Sequence, residues 1–346
     1  MTTISPLILQ PILKEKVWGG RRLERLGKSL PPGVNIGESW EVADLGSTSV
    51  SGGGGGAERS TVAVGPHAGR TLHEMMDAWG DDLLPRALRT ASGDFPLLVK
   101  FLDAREHLSI QVHPSPAYAA AHPGAHLKTE CWYILDADGA AVDGAGEPVI
   151  YKGLRPGVTL SDLRRLIAEE RVPEAMLEVP AIVGQMHDLP SGTIHALGAG
   201  VLVAEVQTPS DTTFRVYDWA REYGRKGREL HVEQSLACID EGLPPPATAL
   251  PIGQTAGTLV RNQFFTVDEV RLAREQRLTL SDAACQVLMV IGGGGTLEPG
   301  ASPAFGPVPL ALGTTLVLPA SIAAGGTIVG GPTGIGVLRA GIVGRA

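Results

Sequence analysis

Leu108-Ser-Ile-Gln-Val-His113 is the stretch on which the reading of this chain turns. Side chains alternate faces along an extended strand, so Ser109, Gln111 and His113 share one face and Leu108, Ile110 and Val112 share the other. A half-buried surface strand sends its polar face to water. In a small barrel the interior can instead be a polar site, with the apolar face packed outward on other elements. Gln111 and His113 then point into one cavity.

The flanking sequence keeps the period of two. Residues 97–102 (LLVKFL) read as a strand, 104–107 as a turn and 128–135 (KTECWYIL) as a third strand. The last places Lys128, Glu130 and Trp132 on a common face. A charge buried in such a strand is costly unless it is paired or bound to a metal. Further on, Pro190-Ser-Gly-Thr-Ile-His195 makes a tight turn whose histidine opens the following strand. By itself His113 reads as a hydrogen-bonded structural histidine. Two imidazoles, a carboxylate and an amide oxygen together form a zinc donor set that leaves room for water or substrate. Such a mixed set is harder than a thiolate site and keeps the metal Lewis-acidic.

The bulk composition agrees with a strand-rich fold. The 346 residues include 45 glycines and 26 prolines, a load of turn-formers that favours many short strands over long helices. Hydrophobic residues make up 43% and charged residues 19%, enough to bury a sizeable core. The formal net charge of −8 gives no bulk attraction for nucleic acid or an anionic membrane, so an anionic ligand requires a locally basic pocket. No run of 18 apolar residues exists to cross a membrane as a helix, and Met1–Pro11 has no secretory-signal pattern. Cys131, Cys238 and Cys285 fit neither a disulfide framework nor a cysteine-rich zinc site, which points to a reducing, cytoplasmic setting. Cys131 faces away from Glu130 and reads as an inert packed thiol.

Helical patterns are confined to 71–88, 161–177 and 231–239, a small insertion and connectors. His73-Glu74 lacks a second histidine four residues on, so it is no zinc-protease motif. The run Ser51–Gly56 reads as a surface turn; it lacks the lysine and helix of a phosphate loop. The proline-rich stretch 243–251 is the domain boundary, separating a first domain over 1–243 from a second over 252–346. Short strands at 258–260, 264–270, 286–291, 315–318 and 336–338 make the second part a small barrel or jelly roll. It contains no histidine, so a metal site there is not expected.

Several segments together resemble type I mannose-6-phosphate isomerases, zinc enzymes built from two cupin domains. They are Lys16-Val-Trp-Gly-Gly20, Ile36-Gly-Glu-Ser-Trp-Glu41, 95–102, the QxH strand, the KTECWY strand, PSGTIHAL, and 203–218. The match runs in order from residue 7 to about 235, while the C-terminal third agrees only in general character. The resemblance implies a mainly β fold of two cupin (jelly-roll β-barrel) domains. It implies one zinc per chain on Gln111, His113, Glu130 and His195, a catalytic role for Arg215, and a sugar phosphate as substrate. The activity implied is interconversion of mannose 6-phosphate and fructose 6-phosphate, moving a proton between C1 and C2 through an enediol.

Lys100 and Ser109 suit a phosphate; the bland alternative for Lys100 is a side chain reaching the surface from a strand end. Lys128 belongs in the pocket beside Glu130. Glu205 and Gln207 share a face near His195 and either line the site or bond to a neighbouring strand. Trp18 and Trp132 read as sugar-stacking platforms or as core. Glu205, Lys128 and a metal-bound water are the open alternatives for the base. Arg164-Arg165 and the 225–228 cluster read as solvated faces or loop charges. Two rival readings remain at this level: a non-haem iron oxygenase of the same fold, against which the extra glutamine argues, and a non-enzymatic sugar-phosphate binder. No oligomeric state is encoded in any motif.

Overall fold

The computed structural model describes residues 3–48, 55–122, 124–138, 147–300 and 305–344. Residues 51–54 of the serine–glycine run lie outside the described residues. The chemistry-bearing strands fall in two facing antiparallel sheets. A seven-stranded sheet contains Ile36–Val42, Leu98–Ala104, Glu130–Ala137, Gln185–Leu189 and Val201–Gln207. A five-stranded sheet contains Ile110–Val112, Val149–Leu154, His195–Leu197 and Phe214–Tyr217. Alternation decides what each face carries. The inner faces contribute Trp18, Leu102, Trp132, Ile134, Leu197 and Val203 to an apolar plug, and the remaining inward positions are polar. Each such side chain, fully buried, stabilises the barrel by roughly 1.5–3 kcal/mol.

The outer faces are apolar, as the alternation of 108–113 requires. Ile110 and Val112 pack outward with Ile194 and Phe214 against helices Leu160–Ala168 and Val232–Cys238. Leu108 departs from the expected alternation. It precedes the strand, which begins at Ile110, and turns into the interior apolar plug.

The helices are shorter than their periodic patterns. The first spans Leu72–Trp79, opened by a capping box between Thr71 and Glu74. It stops where Gly80 takes a φ of 57°, and only short 3-10 turns follow. The 161–177 pattern yields a helix over Leu160–Ala168. Pro173, which cannot donate to a helical ladder, then opens the 3-10 turn Val172–Ala175, and Met176–Pro180 is already a strand.

An eight-stranded sheet is built from seven strands lying between Ala256 and Ile342 and from Leu7–Ile8. Its longest strands, Gln286–Glu298 and Thr327–Ile342, extend well beyond the expected short ones. They are bent rather than broken by the run 292–295. The register shifts between Val290 and Gly292 and again between Gly293 and Gly295. At Gly293, with φ 59°, a Cβ would meet the Gly334 carbonyl oxygen at 2.1 Å, so only glycine lets the strands cross there. This sheet curls around aliphatic side chains such as Leu272, Leu288, Val290, Leu316 and Val337. Its other face packs Val287, Met289, Val317 and Ala340 against Phe101, Cys131, Tyr133 and Val206 of the first barrel.

The chain crosses between the two bodies. Leu7–Ile8 pairs with Leu316 and Val317 of the C-terminal sheet, while Thr248–Ala249 pairs with Gln185 and Met186 of the first barrel. At the seam the Tyr133 hydroxyl donates to the buried Glu269 carboxylate at 2.6 Å.

Candidate metal centre and substrate cleft

Register brings the polar inward residues into rows. Residues directly opposite each other on paired strands point to the same side. Across the five-stranded sheet, Lys152 lies opposite His195, His195 opposite Gln111, and Gln111 opposite Arg215. Across the seven-stranded sheet, His187, Trp132, Glu205, Lys100 and Trp40 form one row, and Glu130 and Gln207 lie in the next. The two sheets face each other, so His113, Glu130 and His195 meet inside the barrel with ligand atoms all within 4.8 Å of one another.

The hydrogen bonds around these groups fix their protonation. His113 Nδ1 lies 2.9 Å from the Thr212 carbonyl oxygen and His195 Nδ1 lies 2.8 Å from that of Thr193. A carbonyl only accepts, so each Nδ1 carries a proton and each Nε2 points inward. There Nε2 of His113 is 3.4 Å, and Nε2 of His195 3.1 Å, from the Glu130 carboxylate oxygens. All four atoms are buried; Glu130 Oε2 also faces the Lys128 ammonium at 2.7 Å, while the other three have no hydrogen-bond partner. Burial, then Lys128, pushes the His113 pKa down to about 3, so the imidazole is neutral. Burial alone would raise Glu130, but Lys128, with its ammonium 2.7 Å away, holds the carboxyl well below its usual range. Two imidazole nitrogens and a buried carboxylate oxygen, Oε1, thus converge without hydrogen-bond partners, an arrangement that a bound cation reconciles. Gln111, the amide of the expected set, stands beside His195 in register, and its Oε1 accepts from the Ser109 hydroxyl at 3.3 Å.

A cleft of about 720 Å³, open to solvent, runs along these rows. Trp18, Lys100, Ser109, Gln111, Lys128, Glu205 and Arg215 line it. Lys100 does not reach the surface: it is 5% exposed, 3.1 Å from Glu205 and 3.7 Å from Glu38. Glu205 also accepts from the Trp132 indole N–H at 2.8 Å. Trp18 and Trp132 are both buried in the apolar plug, and both also line the cleft. Arg215 is buried; its Nη1 donates to the Glu229 carbonyl at 2.8 Å, and burial lowers its pKa to about 10.

Some groups escaped the sequence reading. Lys16, Glu38 and Trp40 line the cleft, although the alternation of Ile36–Val42 already puts Glu38 and Trp40 on one face. Lys152 and His187 sit inside the barrel, where burial pushes them down to about 8 and about 4 respectively. Arg228 is a loop charge, as one of the two readings had it, but not a freely solvated one. It lines the cleft rather than standing free in solvent, held by Asp218 at 2.6 Å. Arg225 pairs with Glu106, and Arg164 and Arg165 are solvated as anticipated. A second acidic cluster, Asp44, His73 and Asp94, already has its cation, since Arg59 lies 3.1 Å from Asp44 and 3.4 Å from Asp94. It ties the short strand Asp44–Leu45 to the first helix.

Fold and site together define a cupin-type barrel with an interior histidine–carboxylate cluster able to hold a metal ion and a charged cleft beside it. Residues 7–139 match the profile of the phosphomannose isomerase type I catalytic domain. The mannose-6-phosphate isomerase of Streptococcus mutans is 34% identical over 301 residues, covering 86% of this chain and 88% of that protein. A crystal structure of the mannose 6-phosphate isomerase from Bacillus subtilis superposes with a TM-score of 0.76 at 30% identity, over 97% of this chain and 99% of that one. A zinc-bound mannose 6-phosphate isomerase shares the fold at 16% identity, with a TM-score of 0.74 over 98% of this chain and all of the other. The chain belongs to the type I mannose-6-phosphate isomerase family.

Proposed function

We propose that this chain interconverts mannose 6-phosphate and fructose 6-phosphate with one zinc ion per chain, held by Gln111, His113, Glu130 and His195. The observation that carries this reading is the convergence of two imidazole Nε2 atoms on a buried carboxylate, with each Nδ1 held from behind by a backbone carbonyl. When bound, zinc supplies Lewis acidity toward the sugar oxygens.

The chain's own residues supply the rest. Arg215, in register with Gln111, stands on the order of 10 Å from His195 across two strand spacings. It faces the cleft and stabilises negative charge on the enediol oxygens. Lys128 and Glu205 are the wall groups able to carry the proton between C1 and C2. Ser109 orients Gln111 through its hydrogen bond. Lys100, set between Glu38 and Glu205, holds those carboxylates in place; Trp18 closes one side of the cleft. The cysteines, free and buried, fit a cytoplasmic setting.

The test is a coupled isomerase assay with the zinc-loaded protein, alongside elemental analysis of His113→Ala and His195→Ala. Isomerisation by the parent chain and loss of zinc in both variants are expected. Full zinc occupancy in both would overturn the ligand assignment, and no isomerisation by the zinc-loaded parent would overturn the activity.

A further inference from the structure

Resting on that reading, we infer that Gln207 is a positioning residue of the metal centre: its side-chain amide clamps the turn 208–212, and that turn aims the His113 imidazole. Gln207 ends the strand Val201–Gln207 and stands directly opposite Glu130, so the two side chains share the interior side of their sheet. It is fully buried. Its Nε2 donates to the Thr208 carbonyl at 2.9 Å and to the Ser210 carbonyl at 2.5 Å. The turn then closes on itself. The Ser210 N–H donates to the Thr208 carbonyl at 2.8 Å, and the Thr212 N–H donates to the Ser210 hydroxyl at 3.2 Å. That hydroxyl donates in turn to the His126 carbonyl at 3.1 Å. The Thr212 carbonyl at the end of this path takes the His113 Nδ1–H at 2.9 Å. Hydrogen bonds therefore run without a break from the Gln207 amide to a metal-facing imidazole.

The two histidines differ in what holds their acceptors. The acceptor of His195 is Thr193, two residues away in a tight turn closed by the Thr193 N–H to the Pro190 carbonyl at 3.0 Å. That turn is fixed by its own sequence. The acceptor of His113 is 99 residues away along the chain, on a segment between the strands Val201–Gln207 and Phe214–Tyr217. No strand ladder fixes that segment, so side chains must. A metal-ligating imidazole points where the partner of its far nitrogen lets it point.

The amide itself carries a second sign. Two carbonyls only accept, so Nε2 must face them, and the reverse orientation would set oxygen against oxygen. This leaves the Gln207 Oε1 buried with no hydrogen-bond partner among the described residues. A methionine would fill the same space without an idle oxygen, so packing alone does not call for an amide here.

The experiment compares the parent with Gln207→Met and Ser210→Ala. Three quantities are read: the zinc Kd by competition with a chelator, the visible absorption of the cobalt(II)-substituted protein, and the denaturation midpoint of the metal-free protein. Gln207→Met should raise the zinc Kd by about 10- to 100-fold and shift the cobalt bands, because the ring is no longer held in line. Ser210→Ala loosens the same turn from its far side and should move both readouts in the same direction by less. A residue that only packs would lower the midpoint and leave Kd and the cobalt spectrum at their parent values. That result in folded Gln207→Met overturns the inference. If Gln207→Met does not fold, Ser210→Ala carries the test, and an unchanged Kd there overturns it.

A double variant tests the route. In a His113→Ala background Gln207→Met should cost no further zinc affinity, because the imidazole it aims is gone. A full second loss would show that Gln207 acts on the metal by another path and would overturn the inference. A parent that binds no zinc, or a His113→Ala protein with the parent's zinc affinity, sinks the metal reading and this inference with it. Zinc bound through His113 but indifferent to Gln207 sinks the positioning role alone.

Discussion

Replacing Lys100 by methionine keeps the length of the side chain and removes its charge from between two carboxylates. In the folded protein Lys100 lies 3.1 Å from Glu205 and 3.7 Å from Glu38, with all three side chains largely buried. The two acids are not left equally exposed by the change. Glu38 keeps Lys16 at 3.4 Å and the Trp40 indole N–H at 2.6 Å. Glu205 keeps only the Trp132 indole N–H at 2.8 Å, and its Oε1, the oxygen that faced Lys100, loses its ammonium. The cost therefore falls on Glu205 and amounts to about 3–5 kcal/mol, the usual penalty for stripping one partner from a buried ion pair. Lys100→Met/Glu205→Gln removes the orphaned charge, and we expect it to recover more than half of that loss. Denaturant titration at fixed zinc concentration, followed by tryptophan fluorescence, measures both; Trp40 and Trp132 lie in the same row as Lys100. A loss under about 1 kcal/mol in the single variant, or a double variant less stable than the single, would refute the reasoning. An unchanged denaturation midpoint with a raised KM would instead return Lys100 to the phosphate-binding role that its sequence context raises.

Chelation of the metal should lower the denaturation midpoint, and added zinc should restore it, because an ion bound only by the native state stabilises that state; a midpoint indifferent to chelator speaks against a structural contribution. Burial would raise Glu38, but Lys16, Lys100 and the Trp40 indole together hold its pKa at about 2. A depressed carboxyl stabilises the fold above its unfolded value, so this contribution, on the order of 3 kcal/mol, is lost as pH falls from 4.5 to about 2. In metal-free protein Glu38→Gln should flatten the stability profile over that window, and an unaltered slope would count against it. Tyr133→Phe removes the hydroxyl that spans the seam to Glu269, whose Oε2 already lacks a partner; a loss of about 1–3 kcal/mol is expected by denaturation. At Gly198 a Cβ would meet the Val149 carbonyl oxygen at 2.0 Å. Gly198→Ala should thus displace the strand pairing beside His195 and reduce both stability and zinc content, whereas full occupancy would show that the backbone can yield.

Local covalent geometry made part of this protein legible in its sequence. The two-residue period of 108–113 placed Gln111 and His113 on one face, and that of 128–135 placed Lys128, Glu130 and Trp132 on another, because neighbouring side chains on a strand must alternate. Proline and glycine marked the turn before His195, and the apolar outer positions Ile110 and Val112 followed from the same alternation. What the sequence could not state is which face meets which. Glu130 reaches His195 only because two sheets close over each other, 65 residues apart along the chain. Lys100 looked like a cation available to a ligand until register set it against Glu205. Arg228 read as a solvated or loop charge, with no local sign that Asp218 holds it back over the cleft. Leu7–Ile8 carries no mark of its place in the C-terminal sheet. Alternation is a property of one strand and is written in adjacent residues. Partnership across strands and sheets depends on register and closure, which only the packed chain determines.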